Sequence, residues 1–123
     1  MHRRSAMAHH RLLHSPENLE TILEALKRAL KDRNKKIRRS ACDAVLSLDV
    51  DEARKRRELV PLVVPLLSDP SKRVRRMAAF YLLPFADMVP LALGVEAMSG
   101  EPDRKKRWAL VELVKRIAAS RSP

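Results

Sequence analysis

Three runs of cations punctuate this chain: Lys35-Lys36-Ile37-Arg38-Arg39, Lys72-Arg73-Val74-Arg75-Arg76 and Arg104-Lys105-Lys106-Arg107. Side chains of this type attract anions, either the phosphates of a nucleic acid or the carboxylates of an acidic protein face. The formal net charge of +11 points the same way. Catalytic chemistry finds little support. The carboxylates are scattered, no Ser-His-Asp or Cys-His set can be assembled, and there is no glycine-rich phosphate loop. Cys42 is the single cysteine, so no intramolecular disulfide is available and a reducing, cytoplasmic compartment is expected. It follows Ala41 in an apolar helical pattern and reads as a buried thiol rather than a nucleophile. His10 and His14 are four residues apart and could share a helical face with His9 close by, but without a carboxylate or thiol partner they make a weak metal set. No metal, no cofactor and no enzymatic activity are expected.

The elements that position the cations are helical. Two glycines, 3% aromatic residues and abundant Leu, Ala, Lys, Arg and Glu favour helices over strands. Residues 1–14 lack periodicity and read as a loosely held basic arm or partial cap. Ser15-Pro16-Glu17 is a helix start, with Ser as cap, Pro at the first helical position and Glu at the positive end of the dipole. Leu19, Ile22, Leu23, Leu26 and Leu30 then form one stripe of a helix over 16–31. The spacing of Ile37, Ala41, Ala44, Val45 and Leu48 predicts a second helix over 35–48. After the acidic link Asp49-Val50-Asp51-Glu52, a third reaches Leu67, with Leu59, Val60, Val63, Leu66 and Leu67 inward. Pro61 and Pro65 should kink this helix without ending it, because the apolar pattern continues past both. A fourth starts near Ser71, with Val74, Ala78, Tyr81, Leu82 and Phe85 inward, and Pro84 ends or bends it. Further helices are expected over 90–99, weakened by Gly94, and over 103–119. Met77 to Met98 is long enough to span a bilayer, but Asp87, Pro84, Pro90 and Gly94 argue for a soluble segment with no membrane span.

The cationic runs belong to an internal repeat. DRNKKIRRSACDAV from Asp32 and DPSKRVRRMAAFYL from Asp69 align at one offset of 37 residues, pairing Asp32 with Asp69, Ile37 with Val74, Arg38-Arg39 with Arg75-Arg76, and Ala41 with Ala78. A third copy aligns at an offset of 32, pairing Asp69-Pro70 with Glu101-Pro102, Ala78 with Leu110 and Leu82 with Val114. An acidic residue in the turn, an apolar-Arg pair and an Ala beyond it resemble HEAT repeats, and the kinking prolines suit that family. The likeness covers residues 16–119 and departs from the pattern where Lys106 replaces the apolar residue before Arg107, as at an end-of-array repeat with one open face.

This resemblance implies an all-α fold, a short right-handed α-solenoid of about three antiparallel helix pairs in one domain over 15–123, with repeats near 16–49, 52–86 and 90–119. It also implies that turn acid and arginine bond within and between repeats: Asp32 with Arg38, Asp69 with Arg75, Glu101 with Arg107. That leaves Lys35, Lys36, Arg39, Lys72, Arg73, Arg76, Arg104, Lys105 and Lys106 without an internal role. Cations at helix starts oppose the macrodipole, so helix stability does not explain them. They form either a solvated edge or a docking ridge. Trp108, at the position of Arg76, could stack on a base or anchor a protein; a slip of one residue places it at the position of Met77, partly in the core, as lone aromatics usually are. The expected function is a non-catalytic interaction module for an acidic protein surface, with sequence-nonspecific nucleic-acid binding through the same ridge as the alternative. Self-association through the C-terminal repeat is a further expectation. Some HEAT-like proteins are DNA glycosylases, but three repeats are too few to surround a flipped base.

Overall fold

In the computed structural model, which describes residues 16–121, the chain runs through helices only and divides after Asp51 into two units. The 1–14 arm and its histidines lie outside the described residues.

The first unit holds one helical hairpin. Helix α1 (Pro16–Ala29) packs on α2 (Lys35–Leu46). Leu19, Leu23 and Leu30 of the first stripe are buried, as are Ala41, Cys42 and Val45 of the second. Asn34 caps α2, its side-chain oxygen accepting the Lys36 amide at 2.8 Å. Ile37 departs from its expected place: it is 42% exposed, whereas its counterpart Val74 is fully buried. The apolar stripe of α2 therefore begins at Ala41.

The second unit stacks two hairpins. Helix α3, residues 52–68, changes pitch three times: helical at Glu52–Arg54, π-helical at Lys55–Leu59, α-helical at Val60–Val63 and 3-10 at Val64–Ser68. The prolines account for this. Pro61 and Pro65 donate no amide hydrogen, and the ladder slips around them. The Val60 N–H reaches back five residues to the Lys55 carbonyl, then four-residue spacing resumes from Val64 to Val60. Helix α4 (Lys72–Leu82) follows, capped by Ser71 and continued by a 3-10 segment, Leu83–Met88, that carries Pro84. Helix α5 (Leu91–Ser99) and helix α6 (Trp108–Ser120) complete the unit. The 3-10 end of α3 packs on both α4 and α5, α4 packs on α6, and α5 packs on α6. Like helix therefore lies beside like helix, as in translated copies. Gly94 belongs to this packing, since an added Cβ would meet Ile117 at 3.0 Å.

A side-chain clamp repeated three times fixes the register. Arg38 donates to the Asp32 and Arg33 carbonyls, Arg75 to those of Asp69 and Pro70, and Arg107 to those of Glu101 and Pro102. The turn acids accept main-chain amides two residues on: Asp32 from Asn34, Asp69 from Ser71, Glu101 from Asp103. The acid and arginine of each repeat thus meet through the acid's carbonyl. The bond expected between Glu101 and Arg107 is made at the Glu101 carbonyl, at 2.9 Å.

The last helix also starts later than expected. Residues 104–106 form a turn, and α6 begins at Trp108 rather than at Asp103. In α4, buried Val74 pins the first turn and Ser71 caps it. The third copy has exposed Lys106 at the Val74 position and no side-chain cap at Arg107, so nothing offsets four consecutive cations at the positive helix end.

Arg56 straps α3 to the segment after α4. Its guanidinium meets the Asp87 carboxylate at 2.8 Å and lies 5.3 Å from the Phe85 ring centre. That hydrogen bond holds the Asp87 carboxyl below the usual range. The Tyr81 hydroxyl is buried without a hydrogen-bond partner among the described residues, and burial raises its pKa. Tyr81→Phe is therefore expected to be neutral or stabilising by up to about 1 kcal/mol, read as the urea midpoint. A loss of more than about 1 kcal/mol would reveal a partner for the hydroxyl.

Candidate functional site

The cations of the first unit, Lys35 and Lys36, are exposed in the first turn of α2, with Arg39 half-buried one turn on. In the second unit, Lys72 and Arg73 are exposed at the start of α4, and Arg104, Lys105 and Lys106 are exposed in the turn before α6. Because α4 and α6 pack together, these two clusters belong to neighbouring turns of stacked copies. Lys72, Arg73, Arg104 and Lys105 have no side-chain partner among the described residues. Lys106 lies 4.0 Å from Asp103, whose carboxylate also accepts the Lys105 amide.

Arg76 does not belong with them. Its Nη1 lies 2.5 Å from Oε1 of Glu101, a carboxylate only 2% exposed, so it ties α4 to the following turn. Arg75 reinforces that tie through the Gly100 carbonyl at 3.3 Å. Burial pushes the Glu101 pKa up, but the hydrogen bonds from Arg76 and the Asp103 amide outweigh it and hold the carboxyl below its ordinary value. Arg76 is thus corrected from a surplus cation to an inter-repeat linker.

Of the two positions open to Trp108, the outward one at the Arg76 position is the one it takes, not the partly buried one at the Met77 position. It is 57% exposed and stands edge-on to Phe80, which is 58% exposed, with ring centres 6.2 Å apart and planes at 78°. Val111, one turn beyond Trp108, is exposed beside it. The expected inward stripe of α4 passed over Phe80, although the repeat carried a signal for it. At the two offsets Phe80 matches Asp43 and Glu112, so the second copy has a phenyl ring where its sisters have a carboxylate. Such a position faces outward. Arg73 and Arg76 precede Phe80 by seven and four residues and share its face of α4.

A cavity of about 280 Å³ in the same unit is lined by Leu67, Ser68, Arg75, Glu96, Ala97 and Gly100. Arg75 is already committed to carbonyls there. Among the described residues, no group of three or more His, Cys, Asp or Glu could hold a metal ion, and no helix is long and apolar enough to cross a membrane.

Stacked hairpins, repeated arginine clamps and an exposed cationic and aromatic edge define a helical-repeat protein. The chain belongs to the Cnd1 family, non-SMC mitotic condensation complex subunit 1, whose family model matches residues 4–93. That match ends within α5, so Trp108 and the basic turn before it lie outside the matched stretch. No curated protein and no solved structure matches the chain.

Proposed function

We propose that this protein is a non-catalytic, HEAT-type repeat scaffold that binds an acidic face of another protein, in a reducing compartment such as the cytoplasm. The observation that carries the reading is the set of exposed cations without internal partners, Lys72, Arg73, Arg104 and Lys105, on adjacent turns of stacked copies. Membership in a family described as a complex subunit supports a protein partner. Complementary charge would act mainly on encounter rate and specificity. Lys35, Lys36 and Arg39 form a second cluster in the first unit, with Lys106 at the margin of the first.

Sequence-nonspecific binding to nucleic-acid phosphates is the second reading, favoured by the same unpaired charge. The two separate by anisotropy titration at low salt, with labelled poly-glutamate in one arm and labelled duplex and single-stranded DNA in the other. The protein reading expects poly-glutamate to bind. Tighter DNA binding with a steep salt slope would give the surface to phosphates. The double variant Arg73→Glu, Lys105→Glu is expected to lose about tenfold or more in affinity for the bound polyanion, with helicity and melting temperature retained, because neither side chain has an internal partner. Unchanged affinity would remove this edge from the site. Exposed Leu91 and Val95, four residues apart on α5, favour self-association through the C-terminal hairpin as well. Light scattering over a concentration series reads it directly.

A further inference from the structure

We infer that Phe80 and Trp108 form an anchor site for one bulky apolar side chain carried on an acidic, extended segment of a partner protein. This rests on the proposed acidic-protein reading and adds to it the apolar half of the recognition.

Two large rings stand on the surface at more than half exposure, although Val74, Ala78, Ala79 and Leu82 of α4 are buried. Their contact is edge to face, so one ring's edge occupies the other's face. That geometry is a poor platform for consecutive bases, which need open parallel faces. It suits a side chain that fills the angle between two rings, with the Val111 methyl groups at its margin. Aromatic anchors of this kind carry most of the energy at protein interfaces, particularly within a polar rim.

Charge decides what surrounds the anchor residue. Arg73 lies on the Phe80 face of α4, and Arg104 and Lys105 directly precede Trp108. The carboxylates close by are already engaged: Glu101 by Arg76, Asp103 by the Lys105 amide and Lys106, and Glu112 by Lys115 and Arg116. The rim is therefore positive and complements a negative segment. A basic or neutral apolar peptide would gain from the rings alone.

Trp108 is the only tryptophan, so its emission reports on this site without labelling. The probes are three synthetic nonapeptides: polyacidic with a central Phe, the same with a central Ser, and a neutral Gly/Ser peptide with the central Phe. The acidic Phe peptide should blue-shift or quench Trp108 emission and bind about tenfold more tightly than the acidic Ser peptide, a difference of about 1.4 kcal/mol. Phe80→Ser should bring the two acidic peptides to equal affinity while leaving the Ser peptide's binding unchanged. The Gly/Ser peptide should bind more weakly than either.

Equal binding of the two acidic peptides to the unmodified protein, with no change in Trp108 emission, overturns the anchor and leaves the acidic-partner reading standing. Failure of both acidic peptides to bind at low salt overturns both. Single-stranded DNA quenching Trp108 while the peptides do not would assign the rings to base stacking and overturn the peptide site. Trp108→Phe, followed by anisotropy of labelled peptide, keeps a ring in place and should retain most of the tenfold preference.

Discussion

Replacing Arg76 with alanine is expected to destabilise the protein by about 2–3 kcal/mol near neutral pH and to change how stability responds to acid. The arginine is the charged partner of Glu101, a carboxylate almost wholly covered by protein. Without it, an ionised group stays buried with only a long hydrogen bond, 3.4 Å, from the Asp103 amide. In the unmodified protein the folded-state pKa of Glu101 lies below the ordinary value of 4.5. Its contribution is therefore fully present above about pH 4.5 and is lost as the pH falls through the folded value. In Arg76→Ala, burial dominates and the folded pKa rises above the unfolded one. The penalty is then largest at neutral pH and is relieved as the pH falls. The stability gap between the two proteins should narrow between about pH 7 and pH 4, read from urea midpoints. Asp87 and Glu112 are also depressed and respond to acid with the same sign, but equally in both proteins, so the comparison removes them. Parallel pH curves would show that the ion pair does not hold the turn. A second variant, Arg76→Leu with Glu101→Met, should recover much of the loss, since replacing both charges removes the uncompensated one.

Ala78→Asp should be at least as damaging. Ala78 is fully buried in α4, at the same repeat position as Ala41 in α2 and Leu110 in α6, both also buried. A carboxylate there has no partner and no route to water. The expected loss is about 3 kcal/mol or more, a large share of the stability of a domain this size. Ala41→Asp should behave similarly in the first unit. Ala92→Asp is the control: Ala92 is exposed in the first turn of α5, where a negative charge suits the helix dipole, and little change is expected. Chemical denaturation followed by circular dichroism measures all three. An Ala78→Asp protein as stable as the control would mean that the repeat register is misplaced.

Which parts of this architecture were legible in the chain follows from the reach of the interactions involved. Helix bounds came within a few residues where a helix start or a breaker marked them, as at Ser71 and Pro90. The pitch changes in α3 were marked by Pro61 and Pro65. The pairing of turn acid and arginine came from the resemblance to HEAT repeats, and the structure adds that the arginine donates to the acid's carbonyl, six residues back in every copy. Local relations of this kind are written in sequence order.

The start of α6 was misplaced because its loss depends on what Lys106 fails to bury, which a cationic run does not announce. Arg76 was misassigned for a related reason. Its partner lies 25 residues away across a hairpin junction, while Arg75, its neighbour in sequence, serves a local turn. Phe80 and Trp108 belong to different hairpins and meet only where α4 lies against α6.

By itself, the sequence determined that this protein is helical, that its helices pair into copies of one motif, and that a cluster of positive charge stands near the start of each copy's second helix. Tertiary structure alone decided which of those cations are consumed in joining copies, and that two rings remain uncovered beside the rest. The physical reason is that periodicity states which face of a helix is apolar, whereas exposure is set by the neighbouring helix, whose approach depends on residues dozens of positions distant.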